Sequence, residues 1–400
     1  MDILFLSHCT PDAPDKGEKI RAYHELTHLA RSHRVHLACF ARTERELSRR
    51  DKLEGICASV YIERLRPATS LPGAAVRAAA GESFVSAVFR SSRMDAYVRR
   101  LTAGARLDAC LAFSSVMARQ APAELPRIVD MVDVDSEKWR AYAAMRRPGF
   151  LFAAEAARLR RLEAGIGGQA SCIFVSTAQE AALYREIAAG ARARVLENGV
   201  DGAYFDPASV DPLPELAGRR YLLFVGAMDY YPNRQAVVSF CRDVFPGLVR
   251  QDPGLEFLIA GRNPSRDVRE LDRLNRVSVV GGVPDVRPYL RSALAVVAPL
   301  AIARGIQNKV LEALAMGKPV LASDPIVRTF GDSLPEGVFP ASGAETWVEI
   351  IGSLSEKASH DPNRIREAAC SRFRWESNLD SLDEELRRAA ARRSTPRAAK

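Results

Sequence analysis

The chain has 400 residues, of which 47% are hydrophobic and 26% are charged. This length exceeds one usual folded core, so two domains are expected in a globular protein. No apolar run reaches the roughly 18 residues that a membrane-spanning helix needs, and the first residues are typical of a strand rather than a signal peptide, which predicts a cytoplasmic protein. The net charge of +8 permits binding to nucleic acid, anionic membrane or phosphorylated substrates without choosing among them.

Seven cysteines are scattered along the chain, and none forms a CxxC pair. This spacing argues against a metal cluster or a disulfide framework and favours buried free thiols. We therefore predict no metal site.

The first half of the chain alternates strand patterns with helical ones. Strands are predicted at 3–6, 35–40, 59–62, 108–113 and 172–175, an order typical of a doubly wound α/β domain. Ligands of such sheets bind beyond the carboxyl ends of the strands, so the loop after the first strand is a predicted site loop. Its charged residues are Asp15, Lys16, Glu18, Lys19 and Arg21. A solvated loop that leads into a helix is an equally good interpretation.

Residues 65–100 are rich in arginine and small apolar residues, with few acids. An amphipathic basic patch of this kind can lie on an anionic membrane surface. The alternative, which the composition favours, is a helical hairpin whose exposed face is rich in arginine.

A strand that begins at Arg127 ends in three carboxylates: Asp130, Asp133 and Asp135. Asp133 and Asp135 would lie on one side if the chain stays extended. Such a pair can position sugar hydroxyls, bind a cation or transfer protons. The short DxD spacing is too common to predict a metal site. Ser136 is also a candidate N-cap, a purely structural role.

A proline-rich segment marks the predicted domain boundary. We expect a first domain at 1–205, a linker at 206–217, a second domain at 218–375, and a helix with a basic tail at 376–400. Four buried strands of the second domain each lead into a glycine-bearing loop. Glycine allows a ligand to approach the backbone closely, so these loops are predicted to line a binding site.

Residues 294–324 form the most informative stretch: a buried strand, a turn, a helix over Gln307–Met316 and another strand. Gly317 is expected to end the helix in the left-handed conformation. Gln307, Asn308 and Lys309 lie at the start of this helix, and Glu312 lies one turn further on. Backbone donors and a lysine at a helix N-terminus bind anions, and a nearby carboxylate suits ribose hydroxyls. We predict a site for a nucleotide diphosphate.

Two motifs carry a family resemblance. The run Glu197-Asn198-Gly199-Val200-Asp201 resembles the hinge signature of glycosyltransferase family 4, and Lys309 with Glu312, Ala313-Leu314-Ala315, Gly317 and Pro319-Val320 resembles its donor-binding helix. Further motifs resemble the sugar transferases of bacterial PEP-CTERM/exosortase exopolysaccharide systems: Asp15-Lys16-Gly17, Lys19-Ile20-Arg21, the run 132–136, the run 226–230 and Pro232-Asn233. The resemblance implies an α/β GT-B fold. Two Rossmann-like domains would face a cleft, and the C-terminal helix would cross back to the N-terminal domain.

The resemblance also implies retaining, metal-independent transfer of a sugar from a UDP- or GDP-linked donor, with no further cofactor. Lys309 would bind the diphosphate, Glu312 the ribose, and the backbone of Val283 and Pro284 the base. The residues implied as catalytic are Asp133, Asp135 and Lys309. Those implied as donor-binding are Gly17, Gly226, Asn233, Arg262, Val283, Pro284, Arg304, Gln307, Asn308, Lys309 and Glu312. Those implied on the acceptor side are Lys16, Lys19 and Arg21.

Three positions depart from the family pattern. Arg304 replaces a glutamate that is common eight positions before Glu312, and Met228 with Asp229 replaces a common arginine and lysine. Asp133 or Asp135 stands where a histidine is common. Arg304 or Arg262 is a candidate for the missing positive charge, and the donor sugar is not predicted.

Two alternatives stay open: a non-catalytic sugar-nucleotide-binding subunit, and a nucleotide-sugar 2-epimerase on the same fold. The epimerase is less favoured because His360 is the one histidine of the second domain and lies far from the motifs. No GxGxxG follows the first strand of either domain, which disfavours NAD binding, and nucleic acid is not an expected partner. A glycan or lipid-linked acceptor is expected, with peripheral contact at an anionic membrane as a further possibility.

Overall fold

The structure, a computed structural model, describes residues 1–12, 17–356 and 360–394. The chain divides into two compact units, Met1–Glu197 with Glu376–Lys400, and Asn198–Trp375. Each unit contains one parallel β-sheet. The predicted α/β class with two Rossmann-like units is therefore confirmed.

The first unit is built on a seven-stranded sheet with the order β3-β2-β1-β4-β5-β6-β7. Its strands are β1 Asp2–Ser7, β2 Arg34–Ala41, β3 Ser59–Arg64, β4 Ala109–Phe113, β5 Arg127–Val132, β6 Cys172–Val175 and β7 Ala193–Val195. Its helices are α1 Gly17–Ala30, α2 Glu44–Leu47, α3 Arg50–Glu54, α4 Pro67–Ala79, α5 Phe84–Val88, α6 Ser92–Gly104, α7 Asp135–Met145, α8 Gly149–Gly167 and α9 Ala178–Ile187.

The second unit is built on a six-stranded sheet with the order β10-β9-β8-β11-β12-β13. Its strands are β8 Arg220–Val225, β9 Leu255–Ala260, β10 Val277–Gly281, β11 Ala295–Ala298, β12 Val320–Ala322 and β13 Val338–Pro340. Its helices are α10 Tyr231–Asp243, α11 Phe245–Gln251, α12 Arg266–Glu270, α13 Arg287–Ser292, α14 Asn308–Ala315, α15 Asp324–Val327, α16 Gly343–Glu356 and α17 Pro362–Arg372. The last helix, α18 Trp375–Ser394, returns the chain to the first unit.

Both sheets reverse their strand order at one point. The chain moves outward from β1 to β3 and then returns to β4 beside β1, and likewise from β8 to β10 before it returns to β11 beside β8. The connections leave in opposite directions at such a switch point, which opens a crevice at the carboxyl ends of the strands. Sites are therefore expected after β1 and β4 in the first unit and after β8 and β11 in the second.

The predicted helix over 307–316 is α14, and Gly317 ends it as expected. Gly317 has φ of +71°, and the N–H groups of Gly317 and Lys318 donate to the carbonyls of Leu314 and Ala313, both at 2.9 Å. This pair of bonds is the Schellman arrangement, which satisfies the last helical carbonyls. A Cβ at Gly317 would lie 2.7 Å from the carbonyl oxygen of Pro362, so glycine is required there for space as well.

The units divide at Glu197 and Asn198, earlier than the expected boundary at residue 205. The segment 206–217, expected to be a linker, belongs to the second unit, where Leu216 is buried in the core and Arg291 donates to the carbonyl of Val210. The division is early because Gly199 packs on the second unit, where its Cβ position lies 2.6 Å from Cγ of Trp375.

Within the described parts of the chain, no helix is both long and apolar enough to cross a membrane. The seven cysteines all lie in those parts and form no disulfide; six are buried and Cys370 is half-buried.

Candidate functional site

The carboxyl edge of the second sheet is lined by glycines that approach one another closely. The N–H of Gly226, after β8, donates to Ala260 at 3.0 Å, and the N–H of Gly261, after β9, donates to Gly281 at 2.7 Å. A Cβ at Gly261 would lie 1.7 Å from the carbonyl oxygen of Gly226. No side chain fits at Gly261, so the loops after three neighbouring strands present backbone at this edge.

Lys309 extends from the first turn of α14 toward the loop after β8. Its Nζ donates to Oδ1 of Asn233 at 2.6 Å and lies 4.2 Å from the ring centroid of Phe224. A Cβ at Gly226 would lie 2.6 Å from Nδ2 of Asn233 and 3.0 Å from Nζ of Lys309, so these three predicted residues form one group. Burial lowers the pKa of Lys309 to about 7, because an ammonium group in low dielectric loses hydration.

Glu312 lies one turn beyond Lys309 on α14 and is half-buried. Burial raises the pKa of Glu312 to about 7, and the charge of Lys309 opposes this shift. The pKa of Lys309 is thus below its ordinary value and the pKa of Glu312 is above its own. Both groups therefore change charge near neutral pH. Strongly shifted titratable groups at the end of a sheet are typical of functional sites.

Asn198 holds the loop that precedes α14. Its Nδ2 donates to the carbonyl of Ile306 and to Oδ1 of Asn308, both at 3.0 Å. Nδ2 of Asn308 is buried and has no hydrogen-bond partner among the residues described. A buried donor without an acceptor at the start of a helix is suited to an anionic ligand.

The other predicted donor residues lie around this group. Gln307 donates from Nε2 to the carbonyls of Arg304 at 2.9 Å and Gly305 at 3.3 Å, which fixes the loop that carries Arg304. The carbonyl of Arg262 accepts from Met228 at 2.8 Å, and its Cγ lies 3.0 Å from the Cβ position of Gly282. Val283 and Pro284 follow directly, in the loop after β10.

Two residues that contribute to this site were not predicted from the sequence. Phe224 reads as an ordinary strand residue, yet its ring lies beside Nζ of Lys309. Tyr204 falls within the stretch 1–205 that was expected to form the first domain. In the structure, the guanidinium of Arg287 lies 3.8 Å from its ring centroid. Burial raises the pKa of Tyr204, and the charges of Asp285 and Glu312 raise it further. An aromatic residue that follows the Asn-Gly-Val-Asp motif was the available signal for Tyr204.

In the first unit, Arg21 is an interior residue. Its side chain is 1% exposed and binds both oxygens of Asp130, at 2.6 and 2.8 Å, and the carbonyl of Leu196 at 2.7 Å. Glu25 accepts from the same guanidinium at 3.3 Å, and burial followed by the charge of Asp130 raises the pKa of Glu25 well above its ordinary value. These bonds join α1 to β5 and to Leu196, directly after β7, so Arg21 has a structural role, and its acceptor contact stays a prediction.

Asp133 and Asp135 follow β5 at the carboxyl edge of the first sheet. Val132 has φ of +64°, and the N–H of Asp133 donates to Met131 at 2.8 Å, which makes a γ-turn that is strained for a β-branched residue. Oδ1 of Asp133 accepts from Oγ of Ser176 at 2.8 Å, and burial raises the pKa of Asp133. The expectation that both acids lie on one side assumed an extended chain. Because of this turn, the chain is not extended there.

The residues near these acids have mostly structural partners. Asp135 pairs with Lys138 within α7. The N-cap of α7 is Val134, so Ser136 is not the cap; its N–H instead donates to Glu163 at 2.9 Å. Backbone strain of the kind found at Val132 is concentrated at functional sites, which favours Asp133, the next residue, over Asp135 as the candidate.

The other acceptor-side candidates come from the loop after β1. Lys19 is buried and pairs with Glu46 at 2.7 Å. Gly17, which was predicted to bind the donor, is the first residue of α1 and is exposed. Lys16 lies outside the described residues.

Residues 219–356 match the family model described as glycosyl transferases group 1. The matched stretch contains Lys309, Glu312 and the glycine-bearing loops of the second sheet. The chain therefore carries a glycosyltransferase domain, and the predicted enzyme class, a glycosyltransferase, is confirmed. No curated protein sequence matches the chain at a significant level.

Solved structures resemble the chain over nearly its whole length. Sucrose-phosphate synthase from Thermosynechococcus elongatus is 17% identical with a TM-score of 0.71, covering 98% of this chain and 100% of that one. Anabaena HepE in complex with UDP-glucose is 14% identical with a TM-score of 0.68, covering 97% and 100%. The α,α-trehalose 6-phosphate synthase of Burkholderia multivorans is 10% identical with a TM-score of 0.62, covering 98% and 99%. At these identities the likeness establishes the GT-B fold.

Proposed function

We propose that the protein is a retaining, metal-independent glycosyltransferase that moves a sugar from a UDP- or GDP-linked donor to a glycan or lipid-linked acceptor. The observation that carries this proposal is the pairing of Lys309 Nζ with Asn233 Oδ1 at 2.6 Å, at the start of α14 and beside the switch point of the second sheet. Glu312 lies one turn further on the same helix.

Each part of the donor has a complementary group at this edge. The ammonium of Lys309 and the N-terminus of α14 would stabilise the negative charge that develops on the diphosphate as the sugar leaves. Glu312 would accept hydrogen bonds from the ribose hydroxyls. The backbone after β10, at Val283 and Pro284, would receive the base. Anabaena HepE, which has the same fold, is known in complex with UDP-glucose, and this supports a UDP-linked donor.

The first unit would bind the acceptor at the carboxyl edge of its sheet. Asp133, held by Ser176 and raised in pKa by burial, would position an acceptor or sugar hydroxyl. The exopolysaccharide role rests on the motifs given above. Contact with an anionic membrane is supported by α4, which carries Leu71 at 44% and Val76 at 72% exposure within the arginine-rich segment.

The test of donor binding is a thermal-shift titration with UDP, UDP-glucose, GDP, GDP-mannose and NAD. We expect the melting temperature to rise with one nucleotide family and not with NAD. Lys309→Met should abolish the rise, whereas Lys318→Met, a matched change at the opposite end of α14, should keep it. A rise with NAD alone, or no rise with any nucleotide, would contradict the proposal.

The replacement of a family glutamate by Arg304 favours a second candidate, a non-catalytic sugar-nucleotide-binding subunit. Release of nucleoside diphosphate from the bound donor distinguishes the two. A catalyst would hydrolyse the donor slowly even without an acceptor, and Arg304→Ala would lower that rate. Donor binding with no release over many hours, with a set of glycan and lipid-linked acceptors present, would favour the binding subunit.

A further inference from the structure

The first unit has a cavity of about 440 Å³ that takes no part in the proposed transfer. Its walls come from the segment between α4 and α5, from the start of β5 and from the C-terminal half of α8. The residues that line it and are used below are Glu82, Ser86, Arg119, Arg127, Arg158 and Arg161.

The cavity lies at the opposite end of β5 from the predicted catalytic acids. Arg127 begins β5, whereas Asp133 directly follows its last residue, Val132. At about 3.3 Å per residue, the two ends of this strand are separated by roughly 17 Å. The cavity is therefore a separate place on the unit, not a part of the carboxyl-edge site.

Two buried polar groups in the wall lack partners. Arg127 is 8% exposed, and its two terminal nitrogens donate to Gln169 and Ala121 at 2.8 Å, but its Nε has no acceptor among the described residues. Ser86 is 2% exposed, and its Oγ likewise has no partner there. Buried donors are almost always satisfied in folded proteins, so two in one cavity wall indicate a missing acceptor.

The charge of the wall is strongly positive, with four arginines against one glutamate. Glu82 is already shared, since it accepts from Arg119 at 2.7 Å and from Arg90 at 3.0 Å. Arg158 has one distant partner, Glu155 at 3.8 Å, and no acidic partner is seen for Arg161 in the described part of the chain. The cavity thus has positive charge that its own acids do not neutralise.

We propose that this cavity binds a phosphate group of a small molecule or of a lipid headgroup. Guanidinium groups match the oxygens of phosphate with paired hydrogen bonds, and the hydroxyl of Ser86 supplies a neutral donor. The volume lies within the range of small-molecule sites, so the ligand is larger than a lone phosphate ion. Two sources can supply this phosphate: a soluble phosphorylated compound, or the headgroup of a lipid in an anionic membrane. The membrane is a candidate source because the exposed helix α4 directly precedes the segment that carries Glu82 into the cavity wall.

The binding test is calorimetric titration with inorganic phosphate and with glycerol 3-phosphate. All proteins carry Lys309→Met, so that binding at the donor site does not contribute. We expect the combined change Arg158→Gln with Arg161→Gln to weaken phosphate binding at least tenfold. Ser86→Ala, which removes one buried hydroxyl without adding volume, should weaken it several-fold. Arg160→Gln, the matched change on α8 outside the cavity, should leave it within twofold.

The source of the phosphate is settled by vesicle flotation with the same variants. Vesicles of phosphatidylcholine with phosphatidic acid are compared with pure phosphatidylcholine. The lipid headgroup is the source if the protein floats with the vesicles, if soluble glycerol 3-phosphate competes with this flotation, and if the double variant does not float. A soluble phosphorylated compound is the source if the protein binds the soluble probes but does not float. An unchanged affinity of the double variant for phosphate, an equal loss in Arg160→Gln, or no binding of either probe would overturn the proposal.

Discussion

Binding of UDP-glucose should move protons in opposite directions at pH 6 and pH 8. In the ligand-free protein, burial lowers the pKa of Lys309 to about 7 and raises that of Glu312 to about 7. A diphosphate beside Lys309 favours its charged form and raises its pKa, whereas ribose hydroxyls that donate to Glu312 favour the carboxylate and lower its pKa. The ligand therefore pushes each group back toward its ordinary state.

The size of the effect follows from the distance in pH to each pKa. At pH 8, one unit above the pKa of Lys309, about nine tenths of this lysine is neutral before binding and about one tenth of Glu312 is still protonated, so the complex takes up about 0.8 proton net. At pH 6, one unit below the pKa of Glu312, about nine tenths of this carboxyl is protonated and about one tenth of Lys309 is neutral, so the complex releases about 0.8 proton net. Near pH 7 the two contributions cancel. Above pH 8, affinity should fall about tenfold per pH unit because a proton must be bound with the donor.

The assay is isothermal titration calorimetry in pairs of buffers with different enthalpies of ionisation. The slope of the observed enthalpy against the buffer enthalpy is the number of protons exchanged. UDP-glucose is the ligand of choice because both of its phosphates stay ionised across this range, whereas the terminal phosphate of UDP has a pKa of about 6 and would add its own protons.

Two variants assign the two contributions. Glu312→Gln should lose proton release at pH 6 and keep proton uptake at pH 8. Lys309→Met should lose the uptake, and it should also bind the donor weakly because the diphosphate loses its cation. Binding of UDP-glucose with no proton exchange at either pH, or uptake that persists in Lys309→Met, would refute this reasoning.

Two further predictions concern stability and are measured by urea denaturation at pH 7. Gly261→Ala should cost about 3 kcal/mol or more, because its Cβ would lie 1.7 Å from the carbonyl oxygen of Gly226, whereas Gly104→Ala, with no atom within 4 Å of its Cβ position, should stay within about 0.5 kcal/mol. Asp130→Asn should cost about 3–5 kcal/mol because its buried arginine partner loses a counter-charge, whereas Glu25→Gln should cost about 1 kcal/mol or less, since burial raises the pKa of Glu25 and so disfavours its charged form. Equal losses in either pair would show that the stated cause is wrong.

The elements around the donor site could be predicted from the sequence because their causes are local. The apolar run before residue 300 is β11, and the spacing of apolar residues after Gln307 is α14. Gly317 has the expected positive φ because only a left-handed residue satisfies the last carbonyls of that helix. Lys309 and Glu312 were placed one turn apart by helix geometry alone.

Proline content near residue 210 was a poor guide to the boundary. Proline shows where regular structure stops, but the unit to which a segment belongs depends on what covers its apolar side chains. Leu216 is covered by the second core, so the segment belongs there. This contact joins residues that no short sequence pattern relates.

The role of Arg21 was likewise decided by the tertiary structure. Its position in a charged loop made it a candidate for the acceptor, but its partner Asp130 is 109 residues away along the chain and beside it in space. An arginine that binds a ligand at the surface and an arginine in a buried ion pair look the same in the sequence. They differ in the residue that each one contacts, and that contact is made only when the chain folds.

Lys309 shows the same division within one residue. The sequence determined that a lysine stands at the start of a helix that follows a buried strand, where an anion binds. Only the tertiary structure brought Asn233 from α10 and Phe224 from β8 against its Nζ and removed water from it. Helical periodicity acts over a few residues, whereas burial and pKa depend on groups that are distant in the chain, so the sequence identified the site and the fold decided its protonation chemistry.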